Sequence, residues 1–262
     1  HPLVQHPSVI CTPHLGAATE EAQDKIAIDV AQQMIDYFLR DQIRNAVNVP
    51  SIDAETYQHL KPFMALAEKL GRFQAQFAEG GLKEIVIEYS GEIAERDSKW
   101  ITLSLLTGIF GTFLGGNVNI VNAAGIAQSR GVRLVESSST NAEDYTNLIT
   151  VRLITDAGDH AIAGTIVGKH DERLVLIDGY RIEAVPAGHM LVIRNSDQPG
   201  VIGTIGTILG SKNLNIAAMH LGRLAPHGQA MCLLAVDSPV PQVVIDEILQ
   251  HPPFLSVKAV TL

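Results

Sequence analysis

The sequence predicts an α+β protein, and three patterns carry that prediction. Residues 190 to 262 alternate strand and helix signals in the order βαββαβ. From Arg133 to Val185, short strand patterns are divided by turn signals at Ala157-Gly158-Asp159, Lys169-His170-Asp171 and Asp178-Gly179. Ahead of both regions lie two apolar stripes at helical spacing. Runs of helix and runs of strand that are segregated in this way belong to α+β architectures.

Taken in order, Val9-Ile10-Cys11 reads as a short apolar strand and Thr19 as the cap of a helix. The Thr19 hydroxyl can satisfy a free N–H, and Glu20 and Glu21 meet the positive end of the helix dipole. Ala22, Ile26, Val30, Met34, Tyr37 and Phe38 then form one stripe to about Arg40, and Asp41 to Pro50 ends the helix in an extended segment. A second helix is expected from near Pro62, where proline suits a first turn, burying Phe63, Leu66, Ala67, Leu70, Phe73 and Phe77. From Leu82 the apolar period becomes two, with Ile85, Ile87 and Tyr89 on one face, so a strand follows.

Trp100 to Ser129 contains no Asp, Glu, Lys or Arg. A charge-free run of that length raises a membrane span as one reading. Asn117, Asn119 and Asn122, with Gly108, Gly111, Gly115 and Gly116, instead favour two shorter helices of a buried core.

In the last region Met190 to Asn195 makes a strand that ends at Asp197-Gln198-Pro199-Gly200, because proline fixes φ and glycine permits the turn. Ile202, Ile205, Ile208 and Leu209 recur at helical spacing. Leu214–Leu224 and Gln229–Val236 flank a turn at 225–228, and Val240–Gln250 and Phe254–Leu262 supply the last helix and strand.

The 262 residues allow more than one domain. A net charge of −9 argues against nucleic-acid or anionic-membrane surfaces, which call for clustered Lys and Arg. Small-molecule partners are expected. Two cysteines, Cys11 and Cys232, without CxxC spacing point to a reduced cytoplasm, and the ten histidines show no HExxH or other ligand spacing, so no metal site is expected.

Ile193-Arg194-Asn195-Ser196-Asp197-Gln198-Pro199-Gly200-Val201, followed by Leu214-Asn215-Ile216-Ala217, closely resembles the ACT domain, an amino-acid-binding module with a ferredoxin-like βαββαβ fold. An amino acid offers a carboxylate and an ammonium. The helix start at Gly200 and Val201 offers N–H groups for one, and Asp197 a counter-charge for the other, while the Asn195 amide sets orientation. An Asx turn without any ligand would use the same residues. The resemblance implies that Asn195, Asp197, Pro199, Gly200 and Val201 bind L-serine, with Asn215 of a second subunit closing the site in a homo-oligomer joined through ACT domains.

Thr12-Pro13-His14-Leu15-Gly16-Ala17 before a capped helix resembles the NAD-dependent 2-hydroxyacid dehydrogenases. A lone histidine there can also be a surface residue. The resemblance implies that His14 is the acid/base, taking the hydroxyl proton as hydride leaves for nicotinamide, and that Gly16 and Ala17 lie beside NAD. Asn45-Ala46-Val47-Asn48-Val49-Pro50 narrows the likeness to the long-form D-3-phosphoglycerate dehydrogenase family.

On that likeness residues 1–46 are a helical remnant of a Rossmann-type catalytic region. Residues 47–186 are an intervening, allosteric substrate-binding domain of mixed α/β build, and 187–262 an ACT domain, with a hinge at Pro186-Ala187-Gly188. The intervening domain is implied to bind a phosphorylated hydroxy acid or other anion, its basic residues including Arg130, Arg133, Lys169, Arg173 and Arg181 beside Ser137 to Thr140. No GxGxxG stands between a strand and a helix, so the cofactor domain is expected to be absent and the chain as given inactive. Two other readings stay open: the regulatory part of an iron–sulfur L-serine dehydratase, and a free-standing ACT module.

Overall fold

A computed structural model describes residues 1–40, 43–47, 52–141 and 144–262. Asp41 and Asn48 to Pro50, which the sequence reading placed at the helix exit, lie outside the described residues. The chain divides into two compact units, His1–Asp53 and Ala54–Leu262.

The first unit has a short 3-10 turn, Pro2–Gln5, and helix α1, Glu20–Arg40. Thr19 caps α1, its Oγ1 accepting from the Ala22 N–H at 3.2 Å. Asp36 accepts from Gln32, Arg40 and Arg44 at 2.8–3.1 Å, and the Arg44 guanidinium above all holds its carboxyl below the usual carboxylate range. The stripe of α1 stays exposed, Phe38 at 71%. Val9-Ile10-Cys11 is not a strand. A strand needs a neighbour to satisfy its N–H and C=O groups, and the described part of this unit forms no other strand.

In the second unit α2 runs Ala54–Phe77, eight residues ahead of the expected start at Pro62. Pro62 lies within the helix and forgoes one backbone bond. Burial of Leu60, and then of Leu66, Ala67, Leu70, Phe73 and Phe77, keeps the helix continuous, although Phe63 is only half-buried. Helix α3 (Lys99–Leu114) packs along α2, and α4 spans Ala123–Ser129. The apolar run is therefore two helices, α3 largely buried and α4 burying only Ala123 and Ala127, and no described helix is long and apolar enough to cross a membrane.

Strands β1 (Leu82–Gly91), β2 (Arg133–Ser139), β3 (Asn147–Thr155), β4 (Asp159–Val167), β5 (Asp171–Ile177) and β6 (Tyr180–Ala184) form one sheet in the order β2-β1-β3-β4-β5-β6. Only β1 and β2 are parallel. Ile85, Ile87 and Tyr89 are fully buried on β1, as the period of two predicts. The Tyr89 hydroxyl bonds Thr102 on α3 at 2.7 Å, and burial pushes its pKa up. On α2, Gln74 donates to Val151 O and His160 O at 3.0 and 2.9 Å, tying the helix to β3 and β4.

The last region has strands β7 (His189–Ser196), β8 (Ile216–Arg223), β9 (Gln229–Val236) and β10 (Phe254–Thr261), with helices α5 (Val201–Ser211) and α6 (Gln242–Leu249). The strands form an antiparallel sheet, β10-β7-β9-β8, the order 4-1-3-2 of a split βαββαβ. Leu191, Ile193, Ile205, Leu209, Cys232 and Leu234 share its core with α6. Burial pushes the Cys232 thiol up to about 12. Ile202, expected in that core, is 48% exposed. Val201, Ile205, Ile208 and Leu209 define the buried face, and at 100° per residue Ile202 falls at its edge.

The two sheets belong to one compact unit. Gln76 on α2 exchanges two bonds of 2.9 Å with the backbone of Thr261, and Lys258 pairs with Glu79. A Cβ on Gly222 would stand 2.8 Å from Arg181 O, so β8 and β6 approach closely. The connector at Pro186-Ala187-Gly188 is thus bracketed by packing on both sides.

Candidate functional site

The turn between β7 and α5 gathers most of the residues expected to bind an effector. Asn195 is 2% exposed, its Nδ2 donates to Ser196 O at 2.8 Å, and its buried Oδ1 has no partner among the described residues. A buried carbonyl oxygen left without a donor is uncommon and points to something outside the chain. Gly200 sits at φ 93° as the N-cap of α5, which therefore begins without a side-chain cap. The φ value is what requires glycine, because an added Cβ would meet nothing within 4 Å. Pro199 is exposed and Val201 buried beneath the first turn.

Asp197 is held more firmly than sequence alone indicated. Its N–H donates to Gly228 O at 2.9 Å, and one carboxylate oxygen accepts from Arg223 Nη1 and from the His227 N–H, both at 3.1 Å. The Arg223 hydrogen bond, then that of His227, holds the Asp197 carboxyl below the usual carboxylate range. A lowered pKa means that the pair supports the fold above the ordinary carboxylate pKa and loses that support on acidification. NMR titration of Asp197 should give a midpoint below that of a free aspartate, and Arg223→Ala should return it towards the ordinary value. Arg223 and His227 were missed in the sequence because a hairpin folded over the turn leaves no local pattern.

Asn215 is not brought to this turn within one chain. Asn195 pairs with Ala230, whereas Ile216 pairs with Val236, six residues along β9 and so about 20 Å away. Its Nδ2 donates to Asp237 Oδ2 at 2.7 Å.

In the first unit His14 is exposed at φ 58°, its N–H donating to Thr12 O at 2.9 Å, and Gly16 and Ala17 are exposed beside it. Among the basic residues of the first sheet, Arg133 pairs with Glu84 and Arg181 with Asp144 at 2.8 Å, while Arg173 stands 3.9 Å from Asp171. Arg130 and Lys169 are exposed. No cluster of three or more metal-ligating side chains occurs among the described residues.

Residues 59–178 match the D-3-phosphoglycerate dehydrogenase intervening domain. Over 260 residues, 99% of the chain, it is 34% identical to a D-3-phosphoglycerate dehydrogenase of Bacillus subtilis, and over its whole length 36% identical to one of Methanocaldococcus jannaschii. The chain belongs to the D-3-phosphoglycerate dehydrogenase family. It spans about half the length of these relatives, covering 50% of each. A Synechocystis D-3-phosphoglycerate dehydrogenase is 36% identical over 242 residues, 92% of the chain and 44% of that protein. The intervening-domain match of this family covers α2 to β5 and ends before β6, so the β7–α5 turn lies outside it.

Proposed function

We propose that this chain is the regulatory C-terminal part of a D-3-phosphoglycerate dehydrogenase, the NAD-dependent cytoplasmic enzyme that oxidises 3-phosphoglycerate to 3-phosphohydroxypyruvate towards L-serine. In this reading residues 187–262 are an ACT domain that binds L-serine as feedback effector, and the intervening domain takes a phosphorylated hydroxy acid or other anion. The observation that carries it is the buried, unpartnered Oδ1 of Asn195 beside the uncapped start of α5 and the Asp197 carboxylate. The oxygen accepts from an ammonium or hydroxyl, the α5 N–H groups meet a carboxylate, and Asp197 supplies the counter-charge. Asn215 lies too far away to serve the same site in one chain, which favours a second subunit as the missing wall.

His14 would take the alcohol proton in the parent enzyme. Gly16 and Ala17 lie on the exposed loop that follows it and would stand beside NAD there.

Calorimetric titration of L-serine into the chain and into Asn195→Ala, Asp197→Ala and Asn215→Ala decides the matter. Saturable binding to the dimeric chain, lost or weakened in all three variants, is expected, as is a flat titration with NAD. Equal serine affinity in every variant would remove the site, and heat with another amino acid alone would replace the effector.

A further inference from the structure

A cleft of about 240 Å³ opens on the first sheet, where Glu88 and Ser90 of β1 meet Thr150 of β3. We infer that it is a site for a small amine, held as its ammonium by Glu88, with the Ser90 and Thr150 hydroxyls taking the remaining polar contacts. It does not rest on the effector reading of the Asp197 turn.

Strand register assembles the cleft. Ile85, Ile87 and Tyr89 are buried on the side of β1 that faces α3, where Tyr89 bonds Thr102, so Glu88 and Ser90 point to the opposite face. Thr150 stands directly opposite Glu88, Ala163 opposite Thr150 and Leu176 opposite Ala163. Facing positions lie about 5 Å apart and alternate positions on one strand about 7 Å apart, so the row offers a carboxylate and hydroxyls at one end and an apolar floor at the other.

Polar residues on an open sheet face ordinarily turn to water. Ser90 does not, being 5% exposed, yet its hydroxyl has no hydrogen-bond partner among the described residues. The half-buried Thr150 hydroxyl has none there either. Arg181, at the same cleft, is engaged by Asp144 at 2.8 Å, and Glu88 forms no ion pair among the described residues. The hydroxyls can donate or accept, but a carboxylate only accepts, so Glu88 selects a donor with positive charge over an anion. Tyr145 supplies a ring on the wall, a surface that favours a cation. Burial, and then Glu183, push its hydroxyl above the usual tyrosine range. At about 240 Å³ the cleft is smaller than the roughly 300–1,000 Å³ of drug-sized sites, so its occupant has few heavy atoms.

The test titrates ethanolamine, ethylene glycol and acetate into the chain at constant ionic strength, with backbone amides followed by NMR. Ethanolamine should saturate, with shifts centred on Ser90, Thr150 and Ala163, and the uncharged diol and the anion should not. Glu88→Gln should weaken ethanolamine binding by roughly fivefold or more, and Ser90→Ala and Thr150→Val should each weaken it, while Glu95→Gln should leave it unchanged. Glu88 is exposed, so its variant keeps the fold, as circular dichroism would check. Absence of saturation by ethanolamine, shifts confined to the Asp197 turn, equal binding of ethylene glycol or acetate, or unchanged affinity in Glu88→Gln overturns the site.

Discussion

Alanine at position 108 is expected to destabilise the Ala54–Leu262 unit by about 1–3 kcal/mol, and larger residues to prevent folding. Helices α2 and α3 touch backbone to backbone there. A Cβ on Gly108 would lie 2.1 Å from Glu68 O and 2.9 Å from Glu68 C, and one on Gly71 would lie 2.3 Å from Leu105 O. No side-chain rotation relieves these contacts, so the helices would have to separate and open a gap among Leu70, Phe73, Leu105 and Ile109, all buried. Gly111, on α3 with nothing within 4 Å of an added Cβ, is the matched control. Gly111→Ala should stabilise by about 0.5–1 kcal/mol through helix propensity. Urea denaturation of the three proteins reads both signs, and a Gly108→Ala midpoint equal to the parent's would refute the close crossing.

Ile205→Ala should cost about 2–5 kcal/mol, the range for truncating a large buried aliphatic side chain. Ile205 is fully buried in the core beneath the second sheet, packed with Ile193, Leu209, Cys232 and Leu234. Ile202, three residues earlier on α5, is 48% exposed, and Ile202→Ala should stay within about 0.5 kcal/mol. The same isoleucine-to-alanine change thus tests which face of α5 is buried. Because α5 begins at the Asp197 turn, Ile205→Ala should also speed hydrogen exchange across α5, whereas Ile202→Ala should leave exchange unchanged. Equal denaturation midpoints for the two variants would mean that α5 is rotated from the orientation described.

Local periodicity was sufficient for most of the elements. Thr19 and two glutamates set the start of α1, the period-two burial of Ile85, Ile87 and Tyr89 set β1, and Pro/Gly turns set the limits of β7 to β10 within two residues. These signals act over a few residues, and the chain carries them wherever it is placed. Where they misled, a longer-range term outweighed them. Burial of Leu60 carried α2 through Pro62 despite one lost backbone bond, and Val9-Ile10-Cys11 had no neighbouring strand among the described residues to complete its ladder.

The residues of the β7–α5 turn were legible because turn and cap chemistry is local, and the motif Asn195-Ser196-Asp197-Gln198-Pro199-Gly200 is contiguous. Their partners were not. Arg223 and His227 reach Asp197 only because the β8–β9 hairpin folds over the turn, and the register of β8 on β9 places Asn215 at the far end of the sheet. Elements follow from short-range backbone and side-chain preferences, whereas sites follow from which surfaces the hydrophobic cores press together, and that is a property of the whole chain.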